Sequence, residues 1–358
     1  MGQVQLEFFD EIVDYRCHKK YRAGVFKTKS ELKAELSEAG FERIYHVLSF
    51  GGGTQSAHLL EQHFQGEIHY DFIVFSDTGA EPQFIHEQVA WWRNRQQQLG
   101  NNTSFIITHH GAMERGLEEM LMRYIYTDYQ RFQMPVYCNR IDSDTGKIVS
   151  AGIMPRQCTV DFKILPVKQA VRRQVMHKLG LTERQRMPGN IAFVIDIGFS
   201  YDEIKRIQLY QSPQFKYMFL AYPLVEKNQT TQNSIDYLNQ NNLPNRRSRC
   251  YLCPFNCDDH SIGMDWDEII NSEPFSFLKA CWFDDQLRRV QKTGSKIMKS
   301  IPYLHFSRKP LSDVYRSAYL ITGKEFGVQL HEWIQDWQIF INRKYSVNVS
   351  HEQTQRVV

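Results

Sequence analysis

No uninterrupted apolar run in this sequence reaches the roughly 18–20 residues that a membrane-spanning helix requires. The first residues carry acidic side chains early and contain no basic segment followed by an apolar one, so we expect no secretory signal. Both absences predict a cytoplasmic protein that has no contact with a membrane.

Cysteine is also scarce, with seven residues in a chain of 358. An odd number of cysteines in a long chain without an expected signal argues against a framework of disulfides. The positions of the cysteines along the chain therefore carry more information than their number.

A large excess of charge of one sign is absent as well, because the formal net charge at pH 7 is only +3. A balance this small does not by itself indicate a nucleic-acid-binding protein. Arginine and lysine do cluster late in the chain, at 246–249 and 288–309. These clusters hint at a polyanionic partner such as nucleic acid, and a solvated helix face is the alternative.

Hydrophobic residues make up 42% of the chain and aromatic residues 13%, which allows a large core. Short apolar runs that predict buried strands lie at 44–50, 71–76, 104–108, 191–198 and 217–224. Helical patterns lie at 29–39, 54–64, 81–99 and 166–178. Strands that alternate with helices predict an α/β fold with a parallel, Rossmann-like sheet flanked by helices.

The pattern changes after about residue 225, where we expect helices around a cluster of cysteines and no further strands. An insertion at 139–153 carries a Thr-Gly turn between β-like pieces, which predicts a hairpin. We therefore expect three parts: an N-terminal helical extension over 1–43, an α/β domain over 44–225, and a helical, cysteine-containing C-terminal region over 226–358.

The loop after the first predicted strand has the composition of an anion-binding loop. It consists of Ser49, Phe50, Gly51, Gly52, Gly53, Thr54, Gln55 and Ser56. Glycines let backbone N–H groups converge on an anion, and the N-terminus of the following helix adds donors and a positive dipole. No Gly-Lys-Ser/Thr follows, so this is not a Walker A loop. We predict a phosphate site here, with a plain tight turn as the alternative.

This loop resembles the Ser-Gly-Gly-x-Asp-Ser loop of the PP-loop ATP pyrophosphatases, the adenine nucleotide α-hydrolase superfamily. Gly52, Gly53 and Ser56 match that pattern, whereas Gly51 stands at its first Ser position and Gln55 replaces its Asp. Further segments at 75–82, 156–166, 197–206 and 250–257 follow in the family's order. They are similar to the phosphoadenosine phosphosulfate reductase-like branch, which includes the sulfurtransferase of DNA phosphorothioation.

The resemblance implies a HUP-type, Rossmann-like domain that binds ATP over residues 44–225 and cleaves it at the α-phosphate to AMP and pyrophosphate. It implies that Asp77 and Thr78 lie in a motif that contacts adenosine. It also implies that Gly198 and Arg206 lie in a segment that faces the phosphates.

Charge that develops on the phosphates needs preorganised donors and cations. The candidates are the loop amides, Lys163, Arg206 and a Mg²⁺ ion. Because Gln55 replaces the acidic residue of the loop, another carboxylate is expected to hold the metal, and Asp77 is the candidate. A turn-capping role for Asp77, and surface ion pairs for Lys163 and Arg206, are the alternatives.

Three of the cysteines, Cys250, Cys253 and Cys257, fall within eight residues. A Cys-x-x-Cys spacing places two thiolates around one ion or one edge of a cluster. The residues alone leave the fourth ligand open among Cys158, Cys281, His260 and Cys138. The resemblance favours Cys158, because related reductases bind a [4Fe–4S] cluster through a cysteine of that segment and a downstream Cys-x-x-Cys. A structural Zn²⁺ ion or a redox-active or persulfide-carrying dithiol is the alternative.

We therefore expect an ATP pyrophosphatase or adenylyl-transfer enzyme coupled to sulfur transfer onto nucleic acid or a small metabolite. A cysteine desulfurase or another sulfur donor would be its partner. A true phosphoadenosine phosphosulfate reductase is not expected, because its catalytic cysteine lies in a C-terminal Glu-Cys-Gly-Leu-His motif and no cysteine follows Cys281. The alternatives are a catalytically weak nucleotide-sensing module in a multi-subunit assembly, for example in phage defence, and a structural nucleic-acid partner.

Overall fold

The structure is a computed structural model, and it describes residues 27–142, 144–207, 215–256, 266–293 and 298–346. Most of the predicted N-terminal extension and Cys257 lie outside the described residues. Among the described residues, no helix is long and apolar enough to cross a membrane.

The strands and helices have the following bounds. The strands are β1 (Arg43–Phe50), β2 (Phe72–Asp77), β3 (Ser104–His109), β4 (Tyr137–Ile141), β5 (Ile148–Ile153), β6 (Ile191–Ile197), β7 (Met218–Ala221) and β8 (Ile301–Tyr303). The longer helices are α1 (Lys29–Glu38), α2 (Thr54–Phe64), α3 (Gln83–Gln98), α4 (Gly116–Tyr126), α5 (Leu165–Lys178), α6 (Thr231–Gln240), α7 (Trp266–Ser272), α8 (Pro274–Lys292) and α9 (Arg316–Tyr345). Shorter turns lie at Gln157–Thr159, Val160–Ile164, Tyr201–Arg206, Pro223–Glu226 and Leu311–Val314.

Among the described residues, five strands form a parallel central sheet in the order β3-β2-β1-β6-β7. β1 lies in the middle of this sheet, with Phe50 opposite Phe75 on β2 and Ser49 opposite Ile197 on β6. The predicted α/β class with a parallel, Rossmann-like sheet flanked by helices is thus confirmed. The central position of β1 places the glycine loop at the carboxyl edge of the sheet, where ligands of such folds bind.

Helices cover both faces of the sheet. On one face, α5 packs on β1 and β6 through Val167, Val171, Val175, Tyr45, Val47, Phe193 and Ile195. On the other face, α1 packs through Leu32, Leu36, Val194 and Phe219. Strands that are buried on both faces are apolar at successive positions, which explains why the sequence of β6 shows no alternation.

The described residues form two compact units of interleaved segments. The sheet unit contains the described residues of 27–76, 84–108 and 167–248. The cysteine unit contains those of 77–83, 109–166 and 249–346. The predicted division of the chain at residues 43 and 225 stays a prediction.

The cysteine unit contains a small antiparallel sheet in the order β5-β4-β8. Its β4–β5 hairpin confirms the predicted insertion, but the expectation of no strand after residue 225 is wrong, because β8 pairs with β4. β8 has only three residues and contains Pro302, so its sequence gives no strand signal. A proline is tolerated there because β8 lies at the edge of the sheet.

Candidate functional site

Three glycines connect β1 to α2, and the middle one adopts a backbone conformation that favours glycine. Gly52 has a φ of +70°. A Cβ atom on Gly52 would lie 3.1 Å from Cγ2 of Ile85 and 3.2 Å from Cγ2 of Val89, both on α3. The loop therefore needs glycine here for its conformation and for the close approach of α3.

The backbone donors of this loop are largely unused by the protein. Within the described part of the chain, the N–H groups of Gly52, Gly53, Thr54, Gln55 and Ser56 have no acceptor. Gly53 is the N-cap of α2 and provides no side chain to cap it. A run of unpaired donors at a helix N-terminus is the arrangement that binds phosphate groups.

Ser56 stabilises the turn rather than extending the donor set. Its hydroxyl accepts from the N–H of Gly51 at 3.1 Å and donates to the carbonyl oxygen of Gly53 at 3.0 Å. Gly198, directly after β6, lies against the same residue, since a Cβ on Gly198 would be 2.9 Å from the backbone N of Ser56. The structure thus brings the predicted residue Gly198 to the loop.

Gln55 stands at the loop position where the resemblance expects an aspartate, and its amide binds a carboxylate from another part of the chain. Its amide nitrogen lies 3.2 Å from Oε2 of Glu203 and 3.3 Å from the hydroxyl oxygen of Thr231. Arg206 pairs with the other oxygen of Glu203 at 2.5 Å, and its guanidinium lies 4.1 Å from the ring centre of Phe199. The sheet unit therefore brings the carboxylate of Glu203, with its ion-pair partner Arg206, to the loop residue Gln55.

A segment without regular structure, residues 245–248, lies against the loop, and we call it the strap. The hydroxyl of Thr54 donates to the carbonyl oxygen of Asn245 at 2.7 Å. The buried amide of Gln88 exchanges hydrogen bonds of 3.1 Å with the backbone of Arg246, and it donates to the carbonyl oxygen of Gly52 at 2.5 Å. The strap is therefore attached to the loop through polar contacts on both sides.

Ser248 ends the strap directly over the loop. Its backbone N would lie 2.8 Å from a Cβ placed on Gly53, and its own Cβ would lie 3.0 Å from it. Its hydroxyl oxygen is buried and has no hydrogen-bond partner among the described residues. A buried, unpaired hydroxyl beside unpaired amides is an unsatisfied donor set, which is uncommon in native proteins.

In the cysteine unit, the predicted adenosine-contacting segment forms a tight turn. Asp77 Oδ1 accepts from the N–H of Gly79 at 2.8 Å. The side chain of Glu81 accepts from the N–H of Thr78 at 2.9 Å and from its hydroxyl at 2.6 Å. Asp77 therefore makes the turn-capping contact that the sequence analysis gives as its alternative role. Its metal-binding role stays a prediction.

Lys163 contacts a buried carboxylate in the same unit. It lies in the π-helical turn Val160–Ile164, and its Nζ is 3.7 Å from Oε1 of Glu81. Burial raises the pKa of Glu81, the charge of Lys163 opposes this, and the charge of Asp77 adds to it. The side chain of Lys163 is 44% exposed, whereas that of Glu81 is 1% exposed. Lys163 is therefore a partly solvent-exposed cation that pairs with a buried carboxylate.

Cysteines from two separate stretches of the chain interact in the cysteine unit. A hydrogen bond from Cys250 lowers the pKa of Cys253 to about 6, and the same bond raises the pKa of Cys250. Burial raises the pKa of Cys158, and the charge of Cys253 raises it further. The structure therefore brings the predicted Cys158 together with Cys250 and Cys253.

This gathering does not by itself make a metal centre. In the described ranges, no group of three or more His, Cys, Asp or Glu residues could hold a metal ion. Cys253 favours its thiolate, which is the form that binds metals, and Cys257 lies outside the described residues. We therefore derive no step through a cluster or a zinc ion, and the ligand roles of Cys158, Cys250, Cys253 and Cys257 stay predictions.

The other candidates for a fourth ligand are spread out or lie outside the description. Cys281 is buried in α8, where burial raises its pKa well above the ordinary value. Cys138 is half-buried on β4, its pKa raised by burial. His260 and Cys257 lie outside the described residues.

Comparison of the sequence with models of known protein families gives no match, and comparison with curated proteins gives none either. The resemblance to the PP-loop ATP pyrophosphatases therefore stays a prediction that depends on the motifs and their order.

Sequence reasoning missed contacts that depend on long separations. Thr54 and Asn245 are 191 residues apart, and Gln88 and Arg246 are 158 apart. No local pattern marks Ser248 or Gln88 as part of a site. Glu81 and Glu203 lay inside segments that carry the resemblance, and their buried or half-buried contacts are the signal that only the fold supplies.

Proposed function

We propose that this protein binds ATP at the loop between β1 and α2 and cleaves it between the α- and β-phosphates, giving AMP and pyrophosphate. The observation that carries the proposal is the row of N–H groups from Gly52 to Ser56 that have no acceptor within the described part of the chain. Preorganised donors of this kind stabilise negative charge that develops on a phosphate.

The charges near the loop support transfer chemistry rather than simple anion capture. Glu203 supplies a carboxylate near Gln55, and carboxylates are ligands that Mg²⁺ uses at phosphate sites. Arg206 supplies a cation on the other side of Glu203. Lys163 is a second candidate cation, from the cysteine unit, and its part in the reaction is inferred from the resemblance.

We further propose that an oxygen of the acceptor, which is nucleic acid or a small metabolite, attacks the α-phosphate and releases pyrophosphate. A sulfur nucleophile supplied by a sulfur donor then displaces AMP from the adenylated acceptor. The Cys250–Cys253 pair supports this step, because the lowered pKa of Cys253 makes its thiolate available near neutral pH. A [4Fe–4S] cluster or Zn²⁺ bound by these cysteines would supply sulfur chemistry or structural stability, respectively.

The test is an analysis of reaction products with the full-length protein, ATP and Mg²⁺, with and without candidate acceptors. We expect AMP and pyrophosphate, and an Arg206→Ala turnover lower by about 10²-fold because a preorganised charge is removed. Lys205→Ala removes a neighbouring exposed cation and should keep the turnover of the unmodified protein. ADP and phosphate as the main products would contradict the proposal.

A second candidate function is a nucleotide-sensing module that holds ATP without efficient turnover. Gln55 favours it, since the loop lacks its own acidic residue and the Gln55 amide is bound to Glu203 and Thr231. Such a module would bind ATP with the same loop and release neither AMP nor pyrophosphate. The product analysis therefore separates the two functions.

A further inference from the structure

The β4–β5 hairpin of the cysteine unit has an open edge. Among the described residues, β5 is the outer strand in the order β5-β4-β8, and all six of its residues are exposed. We propose that β5 pairs antiparallel with β5 of a second copy of this chain, so that the two small sheets join into one sheet across a two-fold axis. This interface does not depend on the proposed binding of ATP.

The hydrogen bonds of the hairpin show which backbone groups of β5 point outward. The N–H of Met154 donates to the carbonyl oxygen of Val136 at 3.0 Å, and bonded and non-bonded pairs alternate along an antiparallel ladder. Gly152 therefore bonds towards β4, whereas Ala151 and Ile153 direct their N–H and C=O groups away from it. Within the described ranges these outward groups have no backbone partner, so they are available to another strand.

The side chains of β5 are apolar and lack the features that normally protect an edge strand. Ile148, Val149 and Ile153 are 61%, 56% and 43% exposed. Charged residues and proline usually keep edge strands from pairing, and β5 contains neither. One register shift occurs close to the turn, but residues 150–153 pair regularly with β4. The regular part of β5 is therefore a flat, apolar template for pairing.

This edge is complementary to itself. A two-fold axis at Ala151 places Ala151 opposite its counterpart and places Val149 opposite Ile153 of the second copy, twice by symmetry. Residues directly opposite each other share a face of the sheet, so each of these pairs packs two β-branched side chains. An axis at Gly152 would instead place Val149 opposite Pro155, which has no N–H. The axis at Ala151 therefore uses the outward groups best.

The charges at the two ends of the hairpin favour antiparallel over parallel pairing. The turn carries Asp142, Asp144 and Lys147 and is net negative, whereas the exposed Arg156 follows the other end of β5. Antiparallel pairing brings Arg156 of each copy beside the acidic turn of the other. Parallel pairing would bring the two acidic turns together. Complementary charges of this kind set the orientation of a partner, and here they select a second copy.

The test is sedimentation velocity of the full chain over a range of concentrations, without nucleotide. Two short strand edges make an interface smaller than the standard of about 1,600 Å², so we expect a dimer that dissociates on dilution. Ile153→Lys should weaken it by about tenfold or more, because both Val149–Ile153 pairs are lost and a charge enters the edge. Leu320→Lys is the matched control, since Leu320 is an exposed apolar residue on α9, and it should leave dimerisation unchanged.

Thermal unfolding of the two lysine variants separates pairing from folding. Both residues are exposed, so neither change should alter the melting temperature of the diluted monomer appreciably. A large fall for Ile153→Lys alone would show that this residue supports the hairpin itself. Val149→Thr would then test the interface in its place, because it keeps the β-branched shape and removes only apolar surface, and it should weaken the dimer while the melting temperature is kept.

Cysteine crosslinking tests the register. At the axis, the Cα atoms of a hydrogen-bonded pair are about 5.5 Å apart, which a disulfide can bridge. Oxidised Ala151→Cys should therefore form a covalent dimer above the background of the unmodified chain. Lys147→Cys lies far from its counterpart in this register and should not.

A chain that stays monomeric up to about 100 µM would overturn the inference. A dimer that Ile153→Lys and Val149→Thr leave intact, or that Ala151→Cys does not link, would overturn it too. Neither result bears on the binding or cleavage of ATP, so the proposed function stands or fails by its own product analysis.

Discussion

Asp196 is a buried charge close to the carboxyl end of β6, the strand beside the central strand β1. It is fully buried, and its Oδ2 accepts from the hydroxyl of Tyr70 at 2.9 Å and from Nζ of Lys29 at 2.7 Å. Its Oδ1 has no hydrogen-bond partner in the part of the chain that the structure describes. Lys29 is the cation that offsets this charge, and it stands in the first turn of α1. A side chain of α1 therefore offsets the buried charge of Asp196 on β6.

We predict that Lys29→Met lowers the free energy of unfolding by about 3 kcal/mol, because it leaves a buried carboxylate without its counter-charge. Chemical denaturation at pH 7 measures this. Lys33→Met, on an exposed position of the same helix, should cost less than about 0.5 kcal/mol. Asp196→Asn added to Lys29→Met should recover part of the loss. Equal effects of Lys29→Met and Lys33→Met would contradict the account of the ion pair.

Single residues of the phosphate loop were predictable, whereas their partners were not. Gly52, Gly53 and Ser56 stand in one short stretch between a strand and a helix, so composition and order are sufficient to find them. Ser248 lies at the loop because the chain returns to it after all five strands of the central sheet, far along the sequence. Its identity as a serine carries no signal, and only its burial without a partner marks it.

The packing of α2 against α6 depends on a buried histidine. His58 of α2 has Nδ1 3.0 Å from the hydroxyl of Ser234, and its ring stacks on Tyr237 with centroids 4.2 Å apart. Its Nε2 is buried and has no hydrogen-bond partner within the described ranges. Burial, and then the charge of Lys227, lower the pKa of His58 to about 4. The pair of helices behind the phosphate loop therefore packs around a neutral imidazole.

We predict that this histidine makes the protein less stable in acid. The unfolded chain protonates His58 near its ordinary pKa of about 6.5, whereas the folded chain does so only near pH 4, so stability is full above pH 6.5 and is lost as the pH falls towards 4. Between pH 7 and pH 5 the unmodified protein should lose about 2 kcal/mol more than His58→Gln. Urea unfolding at both pH values measures the difference, and parallel losses would contradict the prediction.

Regular elements were predictable where the pattern is long and the burial is two-sided. α2 has the predicted bounds, and β1, β2 and β3 agree with the prediction to within one residue at each end. α9 begins at Arg316 and continues through Gly323 and Gly327, which interrupt its helical pattern in the sequence. Both glycines face open space in the structure, so the helix tolerates them. The prediction missed β8 for a different reason, because β8 is a strand through its pairing with β4 and not through its own sequence.

The two compact units are not continuous stretches of the sequence, because the chain passes between them several times. Residues 77–83, which follow β2 directly, belong to the cysteine unit, and residues 167–248 return to the sheet unit. A chain that passes between units several times cannot be divided from composition alone, because no linker marks the passage. The candidate chemistry is divided in the same way, with the phosphate loop in one unit and Lys163 and the cysteines in the other.

The central claim is that the N–H groups from Gly52 to Ser56 bind the phosphates of ATP. Hydrogen–deuterium exchange with mass spectrometry, on the full chain with and without ATP and Mg²⁺, measures these groups directly in peptides covering residues 49–56. We predict fast exchange in the free protein, because these donors have no acceptor in the described chain, and clear slowing when ATP is present. ATP that slows exchange elsewhere but leaves residues 49–56 unchanged would contradict the account.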